Sequence, residues 1–291
     1  MGVDTGAIGR DTVATPGHVD VDRADVSQRG AAPTVDLPAR YPVIRTDISA
    51  FTFDEALELL LAAPAQGRRL HVHFCTVHSV VEAADDPTLR SVFNAPDSIA
   101  SPDGMPLVWV GRVLGRRVAR VCGPDVMPAL IDRSRTNGAR HFFYGGAPGV
   151  AERLAARLAE RYPGLEVVGT HSPPFRTLTP EEDAAEVALI NAARPDYVWI
   201  GLGAPKQDLW VARQREALDA SVLLAVGAAF DFHSGGLRRA PAWMQRAGLE
   251  WLFRLLAEPR RLIRRYAVTN TRFVYLVGKD LVSSRRRLRR R

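Results

Sequence analysis

Cysteine is scarce in this chain, with two among 291 residues. That excludes a disulfide-stapled framework, and no Cys/His cluster has zinc spacing. Cys75 and Cys122 fall in or near apolar segments, as buried thiols of a reduced, cytosolic protein would. Long apolar runs are missing too. The longest near-apolar stretch, Val222 to Phe230, falls short of the roughly 20 residues that a membrane-spanning helix takes. The N-terminus lacks a basic start followed by an apolar core, so no secretory signal is expected. Acids are nearly absent from the other end. Arg260 to Arg291 hold twelve Arg or Lys against one acid, Asp280, and the rest of the chain is slightly acidic although the total is +7. Such a segment suits an anionic membrane surface, at about 1 kcal/mol per basic residue near it. Its last residues lack interleaved aromatics and no recognition module is evident, so nucleic acid is not the expected partner.

What remains is ordinary for a soluble globular protein: 46% hydrophobic and 24% charged residues. Residues 1 to 40 show no helical or alternating pattern and read as a disordered leader. Asp20-Val21-Asp22 has the form of a metal-binding carboxylate pair. It has no apolar strand before it, so it is read as chance and no metal site is expected. Residues 41 to 240 read as an α/β core. Thr52-Phe53-Asp54-Glu55 forms a capping box at a helix start. Leu70 to Cys75, His141 to Tyr144, Leu165 to Gly169, Tyr197 to Ile200 and Val222 to Val226 are short apolar runs separated by helical patterns. One such helix is expected to run through Trp210 and Leu218. Short continuous apolar strands between helices predict a buried parallel sheet. After Pro241 the strands stop, and residues 241 to 291 read as a helical, basic appendage that associates with membrane.

Several strand-to-helix turns carry groups suited to chemistry. Ser101-Pro102-Asp103-Gly104 places a carboxylate where α/β enzymes keep reactive groups, although Asp is also a favoured helix cap. Thr76 ends the Leu70–Cys75 run and His78 follows it. If the two strands are parallel neighbours, Thr76 and Asp103 face one crevice. Thr76 is equally a candidate turn hydroxyl. His71 and His73 share one strand face without a third ligand, and read as core or interface histidines. Gly145-Gly146-x-x-Gly149 offers helix-start amides to a phosphate or is a purely structural turn. It is not a full dinucleotide fingerprint, which disfavours an NAD-dependent dehydrogenase. Gly201-Leu202-Gly203-Ala204-Pro205-Lys206-Gln207 puts a lysine in a first helical turn, where the dipole disfavours it unless an anion binds nearby. Gly227 to Gly236, with Ala229 and Asp231, is either a third ligand-facing turn or a hinge.

These blocks, taken in order, resemble the WecG/TagA/CpsF family of bacterial glycosyltransferases. The matching segments are Thr76-Val77-His78, Asp85 to Arg90, Pro102 to Trp109, Arg120 to Met127, Tyr144-Gly145-Gly146, Gly201 to Gln207, Arg239 to Gln245 and Gly248 to Arg261. The resemblance spans about residues 43 to 276. It implies a Rossmann-like parallel sheet flanked by helices, of the GT-E type, with a C-terminal helical appendage. It also implies an inverting, metal-independent transfer without a cofactor. The sugar would move from a UDP-sugar donor to a polyprenyl-diphosphate-linked acceptor at the inner membrane face, in cell-surface polysaccharide synthesis. N-acetylmannosamine, its uronic acid, glucose and glucuronic acid are the family's sugars. By resemblance Asp103 is the base and Thr76 the neighbouring hydroxyl. From the three glycine-rich turns, Gly145, Gly146, Gly203, Pro205, Lys206, Gln207, Ala229 and Asp231 are the candidate substrate-binding residues. The appendage arginines Arg254, Arg261 and Arg264 are candidates for the diphosphates. His78 stands where many members carry Asn, which bears on donor or acceptor contacts. A competing reading is a non-catalytic sugar-nucleotide-binding membrane adaptor.

Overall fold

The computed structural model describes residues 36–246, 248–257 and 259–288. The leader assigned to residues 1–40 falls mostly outside them, as does the Asp20–Asp22 pair. The first described elements are β1 (Arg40–Val43) and β2 (Thr46–Ser49), an antiparallel hairpin. The sequence reading places order here without finding the hairpin. Its strands are four residues long, one contains Pro42, and its turn holds Ile44 at φ +61° instead of a glycine.

Helix α1 (Phe53–Ala62) starts at the expected capping box. Glu55 N–H donates to Thr52 Oγ1 at 3.3 Å and Thr52 N–H to Glu55 Oε2 at 2.7 Å. Then come β3 (Leu70–Cys75), α2 (Val77–Asp85), α3 (Pro87–Asn94), β4 (Ser98–Pro102), α4 (Met105–Val113), α5 (Gly123–Ser134), β5 (Arg140–Gly145) and α6 (Val150–Arg161). They are followed by β6 (Glu166–His171), α7 (Pro180–Ala192), β7 (Tyr197–Gly201), α8 (Lys206–Gln214), β8 (Val222–Ala225) and the short α9 (Ala229–Ser234). The predicted helix through Leu218 is shorter than expected. Arg215 donates to the Leu218 and Ala220 carbonyls at 2.8 and 2.5 Å and Arg69 to the Leu218 carbonyl at 2.8 Å, so side chains take over the partners a longer helix would have supplied.

Strands β3 to β8 form one six-stranded, wholly parallel sheet in the order β4-β3-β8-β7-β5-β6. Side chains alternate between its faces. Leu70, Val72, Phe143, Trp199 and Leu224 point to a core shared with α1, α5, α6 and α9. Cys75, Ala100, Phe142, Tyr144, Val198 and Leu223 point to the opposite layer of α2, α3, α4, α7, α8 and the hairpin. Such two-sided burial is why the strands read as unbroken apolar runs.

After Pro241 come α10 (Ala242–Arg246), α11 (Glu250–Ala257) and α12 (Pro259–Leu288). Leu262 and Phe273 of α12 are buried, and Phe273 joins the cluster of Tyr41, Val43, Val80 and Val81. Arg272 pairs with Asp85 at the end of α2. Among the described residues, no helix is long and apolar enough to cross a membrane.

Candidate functional site

Because all six strands run parallel, the turns that follow them share the carboxyl edge of the sheet, where ligands of open α/β folds bind. Asp103, Thr76, Gly227, Leu202-Gly203 and Gly146 follow β4, β3, β8, β7 and β5 along that edge. The expected pairing of the first two strands is found: Cys75 lies opposite Pro102 in a parallel register. Thr76 and Asp103 are therefore the next residues out of adjacent strands. Asp103 N–H donates to the Cys75 carbonyl at 3.0 Å and fixes the two turns together.

The two side chains differ in what they do locally. The Thr76 hydroxyl caps α2, accepting from Ser79 N–H at 3.3 Å while Ser79 Oγ accepts from Thr76 N–H at 3.2 Å. Asp103 does not cap α4, whose N-cap is Gly104 without any side-chain cap. Its carboxyl, 23% exposed, stands 3.5 Å from Arg120 Nη2, and Arg120 Nε donates to the Asp103 carbonyl at 2.7 Å. Burial pushes the Asp103 carboxyl up to about 6; Arg120 and Arg239 pull it down, while Glu250 and Asp125 add to the rise. A carboxyl poised near neutrality accepts a proton more readily than an ordinary aspartate.

Around Asp103 lies a charge network to which the sequence reading gives no role. Arg120 Nη2 donates to Glu250 Oε2 at 2.7 Å, and Arg239 Nε to Glu250 Oε1 at 3.1 Å. Arg239 Nη1 donates to Asp125 Oδ1 at 2.5 Å, and the Cys122 thiol to Asp125 Oδ2 at 2.9 Å. Burial raises the Cys122 and Cys75 thiols well above the ordinary range, so both stay protonated. Arg120, Asp125, Arg239 and Glu250 all fall inside the segments quoted for the resemblance. The one local signal was Asp125, which follows Gly123-Pro124 at the start of α5.

The glycine-rich turns divide. Gly145 has φ +120°, and a Cβ there would meet the Gly201 backbone at 2.7 Å. Gly146 N–H donates to the Gly201 carbonyl at 2.9 Å. These glycines let β5 and β7 close together. Gly203 has φ +79° and open space around it. Gln207 is buried, accepts from Gly203 N–H at 3.1 Å and donates to the Ala225 carbonyl at 2.8 Å, so it ties the ends of β7 and β8. Pro205 precedes α8 as its N-cap, and Lys206 is exposed in the first turn. Ala229 is fully buried, while Asp231 on α9 is exposed.

His78 Nε2 lies 3.3 Å from Glu82 Oε1 on the same helix. His71 and His73 are buried, bonded to each other at 2.7 Å, with His73 bonded to Asp208 at 2.7 Å. Arg254 of α11 reaches over Phe232 of α9, 6.0 Å from its ring centroid, which brings it beside the turn after β8. Arg264 is exposed on α12, and the Arg261 side chain lies outside the described residues. Among the described residues, no three of His, Cys, Asp and Glu are grouped to hold a metal ion.

Comparison with known proteins adds a second line. The profile of the Glycosyl transferase WecG/TagA/CpsF family matches residues 41–287. A relative from Bacillus spizizenii (strain W23), an N-acetylglucosaminyldiphosphoundecaprenol N-acetyl-β-D-mannosaminyltransferase, is 33% identical over 189 residues, covering 64% of this chain and 71% of its own.

Proposed function

From a chain that belongs to the WecG/TagA/CpsF glycosyltransferase family, we propose an inverting transferase that moves N-acetylmannosamine from a UDP-sugar to a lipid-diphosphate-linked N-acetylglucosamine. The sugar and acceptor are those in the name of the Bacillus spizizenii relative. The observation that carries the mechanism is a carboxyl at the sheet's carboxyl edge, held beside arginine yet shifted up to about 6.

In this reading Asp103 takes the proton from the acceptor hydroxyl as its oxygen attacks the anomeric carbon. The bond from that carbon to the UDP oxygen breaks on the opposite face, and the electron pair leaves with UDP. Configuration therefore inverts. General-base help of this kind is worth about 10²–10⁴ in rate. Thr76, on the adjacent strand end, borders the acceptor path. The turns at Gly145-Gly146 and Gly203–Gln207, with Lys206, Ala229 and Asp231, form the donor side. Charge growing on the leaving diphosphate is met by helix-start amides and by arginines, Arg254 foremost and Arg261 and Arg264 from α12, without a metal ion. The basic segment 241–291 holds the enzyme on the anionic inner face of the membrane, where a lipid-linked acceptor resides.

The test is turnover of UDP-N-acetylmannosamine with a synthetic lipid-diphosphate N-acetylglucosamine, in the presence of a chelator. Disaccharide product is expected from the wild type. Asp103→Asn should lower kcat by about 10²–10⁴ while UDP affinity, measured calorimetrically, stays within a few-fold. Full turnover by Asp103→Asn refutes the base assignment. Product only from another UDP-sugar refutes the choice of sugar.

A further inference from the structure

The charge network at Asp103 joins two parts of the chain. Asp103, Arg120 and Asp125 belong to the α/β layers, Arg239 to the stretch leading out of them, and Glu250 opens α11. Among the described residues its members are three carboxylates and two guanidiniums. One carboxylate must therefore be short of a partner. The distances say which. Asp125 has Arg239 at 2.5 Å. Glu250 has Arg120 at 2.7 Å and Arg239 at 3.1 Å. Among the described residues, Asp103 has only the far side of Arg120's contact, at 3.5 Å from the same nitrogen that donates to Glu250. Side-chain exposures of 13% for Glu250 and 18% for Arg120 limit screening by water.

We infer that Glu250 acts as a positioning residue, coupling the docking of α11 to the charge state of Asp103 by drawing Arg120 off the Asp103 carboxyl. Remove Glu250 and two carboxylates face two guanidiniums. Arg120 then serves Asp103 fully, and a well-paired aspartate is a weak base. Place Glu250 in the network, and Asp103 becomes the odd carboxylate. The device makes the base competent only when α11 is seated. The groups facing Asp103 are Arg120, Glu250, Asp125 and Arg239, together with the protonated thiols of Cys75 and Cys122. Both consequences of losing Glu250, one negative charge fewer and one arginine freed, push the Asp103 midpoint the same way, downward.

This rests on Asp103 being the base, and the two ideas fail separately. Full-length protein carrying ¹³C-carboxyl aspartate is titrated by NMR, with the Asp103 signal assigned by its loss in Asp103→Asn. The wild-type midpoint is expected at about 6. In Glu250→Gln it should fall by roughly 1–3 pH units, the range an arginine beside a carboxylate produces. The acid limb of kcat/KM should move down with it, as turnover at the pH optimum drops. Glu250→Asp, which keeps the charge, should restore a midpoint near the wild type's. If Glu250→Gln releases α11 altogether, the same fall is expected, because Arg120 is freed either way. A Glu250→Gln midpoint within a few tenths of the wild type's overturns the coupling even where Asp103→Asn is inactive. An active Asp103→Asn overturns the base, and the coupling with it.

Discussion

Gly145→Ala is expected to cost far more stability than Gly203→Ala, although both glycines sit in strand-to-helix turns at one edge. At Gly145 an added Cβ would lie 2.7, 2.8 and 2.9 Å from the carbonyl carbon, oxygen and nitrogen of Gly201. Ordinary carbon contacts are about 3.5–4.0 Å. The neighbour is backbone, and it cannot recede easily. Gly201 accepts from Gly146 N–H at 2.9 Å, and Phe230, fully buried, stands where a Gly201 Cβ would be, 2.6 Å from its Cγ. Overpacking of this kind costs about 1–3 kcal/mol. The positive φ of +120° adds about 1–3 kcal/mol for a residue with a Cβ. At Gly203 nothing lies within 4 Å, so only the left-handed backbone remains, about 1–2 kcal/mol. Urea unfolding at constant m value reads the difference, and each kcal/mol moves Tm by about 2–4 °C in a domain of this size. Equal losses at the two positions would refute the steric argument. A stable Gly145→Ala that has lost UDP affinity would show that this glycine serves the ligand's approach instead.

Stability should also fall on acidification through His141. Trp199 Nε1–H donates to its Nδ1 at 3.1 Å, so the ring is neutral, with its proton on Nε2 facing Ser134 Oγ at 3.1 Å; burial holds its pKa at about 3. The unfolded chain binds this proton below about 6.5 and the folded chain does not, so stability drops between those values by up to roughly 1.4 kcal/mol per pH unit. Urea unfolding from pH 7 to pH 4 should show a shallower slope in His141→Asn, and an unchanged slope would refute the assignment. Phe273→Ala should weaken the seating of α12 by about 3 kcal/mol, the low end for losing a buried phenylalanine. Hydrogen exchange should speed up across 259–280 and not in β3 or β8; equal acceleration in the sheet would mean that α12 is part of the global folding unit.

How much of this was legible in the sequence depends on whether the determinant is local. The parallel strands announce themselves because burial on both faces demands unbroken apolar runs, as Val222–Ala225 and Tyr197–Ile200 have. The α1 boundary is legible because Thr52 and Glu55 satisfy its free amides within four residues. The β1–β2 hairpin escapes because its pairing is held by Tyr41, Val43 and Ile48 in a core assembled from distant segments. The end of α8 escapes because Arg69, far upstream, takes the Leu218 carbonyl. The charge network escapes most completely, since Arg120 and Glu250 are 130 positions apart.

Motifs at the site were visible, but not which of their groups are committed to holding the fold. Gln207 ends a motif that reads as ligand-binding, yet its amide joins Gly203 to Ala225. The Thr76 hydroxyl, likewise, is engaged by Ser79. A polar group already bonded to the scaffold must break that bond to serve a substrate, and the desolvation it leaves behind costs about 1–3 kcal/mol. Asp103 has no such commitment: it caps no helix, and its nearest cation is shared with Glu250. Compared with Gln207 and Thr76, its side chain can therefore change proton and partner with less structural loss. That asymmetry, which only the folded arrangement reveals, is the physical reason to propose the proton transfer at Asp103, while Gln207 ties the ends of β7 and β8 and Thr76 caps α2.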